Sequence, residues 1–575
     1  MTQSRRSPRN WRTVGLRRGV QIVFLLLFFV LLILAGGVLR EGQSSWLKLF
    51  FLFDPLLLLC TLLAAGAVPK LLLLSLATVA LTVVLGRVFC GWACPLGTIH
   101  DLTGRLLDRL QRRVRHDHWS PWQKSKYYLL VGFLVMAALG GHWIAIWDPL
   151  VLLYRTGTVV LWPAAQLSIE QTAAAVRDAA AVEQPLRPKW AEQDEAGQAQ
   201  QQSSATLKNR LARPVAAVTN PVHGFLKDHV FVVQRQSFLG AGLIAAVFAG
   251  LLALNAVRRR FWCRYLCPLG ALLGLLAWRP LLRRATQEQS CNQCDLCGQA
   301  CHGAASAAAG SGWKPSECLG CLNCTASCNR QAMRFTFIWP WQRQPQVETV
   351  DLRRRALLGS AVGGIAALAV IRANPQARQA IFNPQLIRPP GALPEPEFLQ
   401  RCTACGLCMK VCPTGGLQPA ISEAGLEGIW TPRLVPQIGY CQYSCNLCGQ
   451  VCPTGAIQPL SVEQKQQVRI GLAFFDTTRC IPYAYGRDCT VCWEVCPLPE
   501  KAIFTEKVTV VDRNGNTAEV MRPRIDIEKC IGCGNCEHDC VFRDLPAIRV
   551  HSANETRHRK NQPELAPPAS SDPYG

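Results

Sequence analysis

Residues 402–413 read CTACGLCMKVCP, with cysteines at Cys402, Cys405, Cys408 and Cys412 and Pro413 directly after the last. Three thiols two residues apart can wrap one loop around three corners of an iron–sulfur cube. The fourth, three residues on and before proline, starts a helix toward a neighbouring site, and in bacterial ferredoxins it serves the other cluster of a pair. A zinc site instead splits its ligands into two distant pairs. Disulfides would be poorly served by thiols this dense. Gly406, with Gly532 and Gly534 in a later loop, lets the backbone approach inorganic sulfide and donate N–H groups.

The same rhythm stands five more times. CNQCDLCGQAC carries Cys291, Cys294, Cys297 and Cys301, and CLGCLNCTASC carries Cys318, Cys321, Cys324 and Cys328. CQYSCNLCGQVCP carries Cys441, Cys445, Cys448 and Cys452. CIPYAYGRDCTVCWEVCP, with an eight-residue loop, carries Cys480, Cys489, Cys492 and Cys496, and CIGCGNCEHDC carries Cys530, Cys533, Cys536 and Cys540. All but five of the 29 cysteines fall in these six quartets, which predicts six [4Fe–4S] clusters. Crossed ligation assigns Cys291, Cys294 and Cys297 with Cys328, and Cys318, Cys321 and Cys324 with Cys301. Between residues 402 and 540 two arrangements stay open: sequential, or nested with the third quartet matched to the sixth and the fourth to the fifth. No C-x-x-C-H occurs, so haem c is excluded.

Upstream lies DLRRRALLGSAVGGIAALAVI (351–371), three arginines before sixteen uncharged, mostly apolar residues. This reads as an export signal placed inside the chain. Clusters are assembled before export, so the segment beyond must cross the membrane folded, as a twin-arginine signal allows. The other reading is a buried helix with both cysteine-rich regions on one side. An A-x-x-A stretch near Ala377 offers a weak cleavage site.

Further upstream the chain is apolar. Four segments approach the roughly 20 residues a spanning helix needs: about Gly19–Leu39, Leu71–Phe89, Tyr127–Trp147 and Ser237–Val257. The shorter Pro55–Val68 run reads as re-entrant or interfacial. The arginines from Arg5 to Arg18 put the N-terminus in the cytoplasm, and the basic link after the second span returns there. The mixed-charge link from about Leu150 to Val230 is expected outside, and Arg258 to Arg260 bring the chain back. The formal charge of +23 is explained by these flanks, and no nucleic-acid motif accompanies it. The fold class expected is therefore multi-domain: an α-helical membrane domain (1–285) plus two α+β ferredoxin-like domains of the bacterial 2[4Fe–4S] type. These are a cytoplasmic two-cluster unit (286–345) and a periplasmic four-cluster unit (386–552), joined by a signal or anchor (346–385). A disordered polar tail (553–575) follows.

The helical half repeats itself. FDPLLLL (53–59) precedes RVFCGWACPLG (87–97), and WDPLVLL (147–153) precedes RRFWCRYLCPLG (259–270). Asp54 and Asp148 are costly inside a membrane and are candidates for accepting a proton from quinol; equally, Asp before Pro is a good helix cap. His142, set within the third span, can hydrogen-bond a quinone or a neighbouring carbonyl. In each pair Cys90/Cys94 and Cys263/Cys267 the thiols share one face of a helical turn, fit to ligate a cluster, act as a redox dithiol, or pack. Cys60 stands alone as an apolar core residue.

Residues 12 to 340 resemble the NapH-type membrane polyferredoxins, through the paired C-x-x-x-C-P motifs and the two quartets that follow. Residues 351 to 550 resemble the NapG-type ferredoxins, through the later quartets and RPPGALPEPEFLQRCTACG (388–406). The MauN and MauM proteins of methylamine oxidation share the pattern, and the chain looks like a fusion of both types. The resemblance implies a protein of the bacterial cytoplasmic membrane that passes electrons from the quinone pool to a periplasmic reductase or cytochrome c, such as nitrate reductase. Redox sensing, metal-centre maturation, or electron flow from cytoplasmic reductants into quinone are the rival functions.

Overall fold

The computed structural model describes residues 8–35, 43–111, 118–181, 214–228, 230–231, 236–305, 312–339, 350–373, 383–511, 515 and 517–557. Arg5 and Arg6, the A-x-x-A stretch and most of the tail lie outside these residues.

The helical half begins with Pro8–Leu34. Glycine then sets most helix lengths. Lys70–Leu85 ends at Gly86 (φ 81°), Ser125–Ala138 at Gly140 (φ 79°), and Ala241–Ala253 starts after Gly240 (φ 71°). Only glycine takes such backbone angles without strain. Three of the four spans expected from sequence are consequently shorter than a bilayer crossing. Among the described residues, three helices do have the length and apolarity to cross a membrane: Arg12–Leu34, Pro149–Asp178 and Arg354–Arg372. The second makes a helix of the first part of the link expected outside from Leu150. Trp46–Leu52 meets Pro55–Ala65 at 85°, the geometry of a broken span or a re-entrant loop.

The internal repeat is structural. Asp54 and Asp148 each cap a helix, beginning at Pro55 and Pro149. Phe89–Ala93 and Trp262–Leu266 are wide i→i+5 turns, and the cysteines that end them, Cys94 (φ −67°, ψ 115°) and Cys267 (φ −68°, ψ 112°), nearly superpose in backbone angles. Each is followed by a proline-led helix, Pro95–Gln111 and Pro268–Leu276.

Leu282–Thr286 pairs antiparallel with Met333–Phe337, enclosing the first two quartets. Beyond Arg354–Arg372, Leu417–Pro419 pairs with Pro432–Leu434, and Leu472–Phe475 with Ile548–His551, the latter closing around the last two quartets. A long hairpin, Ile503–Val511 with Thr517–Ile525, projects from this last unit. One continuous apolar core runs from Phe28, Phe51 and Tyr154 of the helical half to Cys405, Ile457 and Val550.

Candidate electron-transfer site

The four later quartets assemble sequentially. Cys402, Cys405 and Cys408 lie within electrostatic reach of Cys452. One apolar cavity is lined by Cys441, Cys445, Cys448 and Cys412, a second by Cys496, Cys530, Cys533 and Cys536, and a third by Cys480, Cys489, Cys492 and Cys540. Each takes three thiols from one quartet and the last from its neighbour, which is the crossed ligation of paired ferredoxins. In the first unit Cys301 joins Cys318, Cys321 and Cys324 in the same way, while Cys291 and Cys294 are exposed on the loop before Leu296–Gln299. Burial pushes the thiols of Cys408, Cys448 and Cys536 well up. A metal that takes them as thiolates must displace those protons. Among the described residues no three His, Cys, Asp or Glu side chains stand close enough to hold a single metal ion. Four thiols lining one apolar cavity, three from one loop and one from its neighbour, fit an iron–sulfur cluster.

The helical turn of each loop sits before the fourth cysteine, not after it. Leu407–Lys410, Leu447–Gln450, Val491–Glu494 and Asn535–His538 each carry the third cysteine and end short of the fourth. Gly406 (φ 82°) has a second role: a Cβ there would lie 2.4 Å from Thr158 Oγ1 of the helical half.

The four sites form a row. Cys408 faces Cys448, the Cys441 N–H donates to the Cys533 carbonyl at 2.8 Å, and Cys536 faces Cys492. The row begins on the helical half, where Cys405 stands beside Tyr154 and Arg155, and Cys452 beside Lys48. The Arg155 guanidinium is buried, lies over the Trp430 ring at 4.2 Å, and keeps Nε and Nη1 without a partner. Lys410, pulled down to about 6 by burial, lies over the Trp162 ring.

His142 departs from expectation. The Gly140–Gly141 turn ends the helix before it, so it precedes the short helix Trp143–Trp147, and its Nδ1 faces the Cys402 carbonyl at 3.4 Å. Its Nε2 is buried without a partner. Asp54 Oδ1 accepts from the Leu56 and Leu57 amides at 2.9 and 3.4 Å, and Asp148 Oδ1 from Leu150 and Val151 at 2.8 and 3.0 Å. The capping role is therefore real. The two carboxyls are also fully buried and close to each other, with Cys60 near both, and the Oδ2 of each has no hydrogen-bond partner. An attractive contact between two carboxyls needs one shared proton.

Cys90, Cys94, Cys263 and Cys267 converge between the two wide turns. Around them are residues that sequence reasoning passed over. Asp101 holds Arg260 through two contacts of 2.6 Å and His302 at 2.9 Å. Glu317 binds Lys126 and accepts from Tyr127 at 3.0 Å. Trp147 stacks on Trp262 at 5.6 Å. The tryptophans were legible as neighbours of Asp148 and Cys263; the carboxylates carry no local motif.

A profile described as a 4Fe-4S binding domain matches residues 68–113 and 240–286, and a second of the same description matches 399–418. The methylamine utilization ferredoxin-type protein MauM of Paracoccus denitrificans is 37% identical over 201 residues, 34% of this chain and 82% of the relative. MauM of Methylorubrum extorquens is 34% identical over 166 residues, 28% of this chain and 71% of the relative. The ferredoxin-type protein NapG of Escherichia coli is 35% identical over 191 residues, 33% of this chain and 79% of the relative. No solved structure matches. With quartets in crossed pairs and relatives of this kind, the chain belongs to the NapG/MauM family of ferredoxin-type iron–sulfur electron-transfer proteins.

Proposed function

We propose that the chain withdraws electrons from quinol in the bacterial cytoplasmic membrane and delivers them to a periplasmic reductase or cytochrome c. What supports this most is the position of Cys402, Cys405, Cys408 and Cys452: they begin the row and lie on the helical half, beside His142, Tyr154 and Arg155. When bound there, [4Fe–4S] clusters supply one-electron transfer at potentials set by burial and N–H bonds to sulfur. The protein's own work is positional. His142 Nε2 is the free buried nitrogen for a quinol hydroxyl. Oxidation of one quinol releases two electrons, taken singly by the cluster, and two protons: the Asp54–Asp148 pair accepts one, since one carboxyl of such a pair can stay ionised, and His142 Nε2 accepts the other. Arg155 offsets negative charge gathered at Cys405. In this reading residues 291–328 face the cytoplasm, Arg354–Arg372 crosses the bilayer, and residues 402–540 lie outside with their four sites, six in the whole chain.

The test is anaerobic mixing of the cluster-loaded, detergent-solubilised chain with a reduced quinone analogue, following cluster absorbance. Rapid bleaching is expected, slowed by about 10²-fold or more in Asp148→Asn. Bleaching by dithionite but by no quinol would reject the reading.

A further inference from the structure

The helix Pro95–Gln111 leaves one face uncovered. Leu102, Leu106 and Leu110, one turn apart, are 62, 56 and 71% exposed. Arg105 and Arg109 stand beside them and are exposed as well. The two acids of the helix are engaged elsewhere: Arg260 holds Asp101 through two contacts of 2.6 Å, and Arg259 holds Asp108 at 2.9 Å. Arg105 and Arg109, and Arg18 near Arg105, form no ion pair or hydrogen bond among the described residues. A cationic, leucine-striped face thus stands without an anion.

Its position says what covers it. Gln21 and Arg17 of the Arg12–Leu34 helix reach Asp101 at 3.4 and 3.8 Å. Pro95–Gln111 therefore packs at the arginine-bearing end of a helix long and apolar enough to cross a bilayer. Directly beyond Gln21 on that helix, Ile22, Val23, Leu26 and Val30 are exposed, an apolar surface suited to lipid. The leucine stripe begins one residue from Asp101, at the level where that surface starts. Helices with leucines along one strip and arginines beside them lie in the plane of a membrane surface. A second copy of the chain is the poorer occupant. It would bring its own Arg105 and Arg109 to the seam, with the acids of its helix already engaged. A leaflet of phosphodiester anions supplies both the apolar depth and the missing negative charge.

We propose that Pro95–Gln111 is an interfacial helix that binds anionic phospholipid. Leu102, Leu106 and Leu110 enter the acyl region, and Arg105 and Arg109 take the phosphodiester. Asp101 and Asp108 tie this helix to Arg260 and Arg259 of the second repeat, so lipid bound here steadies the contact between the two repeats. The proposal rests on the membrane reading above and not on electron transfer.

The test follows the melting temperature of the full-length, cluster-loaded chain in neutral detergent as phosphatidylglycerol or phosphatidylcholine is added. Phosphatidylglycerol is expected to raise it by about 2–4 °C, and phosphatidylcholine to leave it within about 1 °C. Arg105→Gln with Arg109→Gln, both on the exposed face, is expected to melt as wild type in detergent alone and to lose most of that rise. Sodium chloride at about 0.5 M in place of about 0.1 M should shrink the wild-type rise. An equal rise with both lipids, the same rise with inorganic phosphate, or a rise kept in full by the double variant would overturn the proposal. In native membranes, p-benzoylphenylalanine in place of Leu106 is expected to photo-cross-link to phospholipid. A cross-link to a second copy or to another protein would overturn the proposal as well. A chain that stays in solution without detergent would fail the membrane reading, whereas one that needs detergent yet gains nothing from phosphatidylglycerol fails this proposal alone.

Discussion

At the residue scale, one side chain can answer to two demands. Asp148 caps Pro149–Thr156 through Oδ1, and its Oδ2 lies buried without a partner near Asp54, where the proposed function has the pair take up a proton; Asn can meet the first demand but not the second. Asp148→Asn is expected to keep the melting temperature near wild type while slowing quinol-driven cluster reduction. Asp148→Ala is expected to lose about 1 kcal/mol of capping as well. Thermal melts set beside stopped-flow traces check both. The cysteines carry a sharper forecast. Since Cys402 and Cys452 serve one site, Cys402→Ala and Cys452→Ala should each cost about four irons, and the double variant no more than that. Cys412→Ala combined with Cys452→Ala should cost about eight, because the two belong to different sites. A loss of eight for the first double variant would mean nested ligation. The quartets themselves were legible because cluster ligation imposes spacing on the chain. The choice between sequential and nested was not, since a thiol's spacing says nothing about which distant loop returns to it.

At the element scale, the Arg354–Arg372 helix is more than a leader. It packs along Ser125–Ala138, with Gly132 against Ser360 and Gly364: a Cβ at Gly364 would be 2.4 Å from the Gly132 carbonyl oxygen, and one at Gly132 3.1 Å from that of Ser360. Small residues four apart allow such close approach between apolar helices. Leu368 and Ile371 continue the contact onto Met136. Leu358, Val362 and Val370 face outward, an apolar strip suited to lipid. Arg372 then binds Glu427 at 3.0 Å and the Leu139 carbonyl at 3.1 Å. A helix seated this way is expected to stay in the mature protein, so tags at the two ends should be found on one 63.4 kDa chain. Gly364→Leu is expected to cost about 1–3 kcal/mol or more through overpacking, read as a lower melting temperature in detergent. Gly363→Leu, with nothing within 4 Å, is expected to be near neutral. Sequence located this element from its arginines and apolar run. Its partner helix stayed hidden, because Gly132 and Gly364 are more than 200 positions apart.

At the scale of the whole molecule, the helical half carries a cysteine-rich unit on two different surfaces. Residues 315–320 meet it through Arg87, Tyr127 and Trp92. Residues 402–406 meet it through His142 and Thr158, with Arg372 and Glu427 closing the far end of the connecting helix. If that helix crosses the bilayer, protease added to spheroplasts should digest a tag inserted near Gly515, in the hairpin turn, and spare one at residues 306–311. Protection of both, or digestion of both, would place the two units on one side and remove the proposed periplasmic acceptor.

What the sequence determined by itself was local. Cluster-binding loops, the Asp-Pro caps, the cysteine turns of the repeat and the arginine-led helix are each written within about twenty residues, because each answers to short-range geometry or charge. Helix lengths were partly misread, since Gly86, Gly140 and Gly240 cut apolar runs that hydropathy alone joins together. Only the tertiary structure decided which loops exchange a cysteine, that Asp54 meets Asp148, and that the cysteine turns of the two repeats converge. Those are encounters between segments from about 30 to about 170 residues apart, held by packing and buried charge that have no signature along the chain.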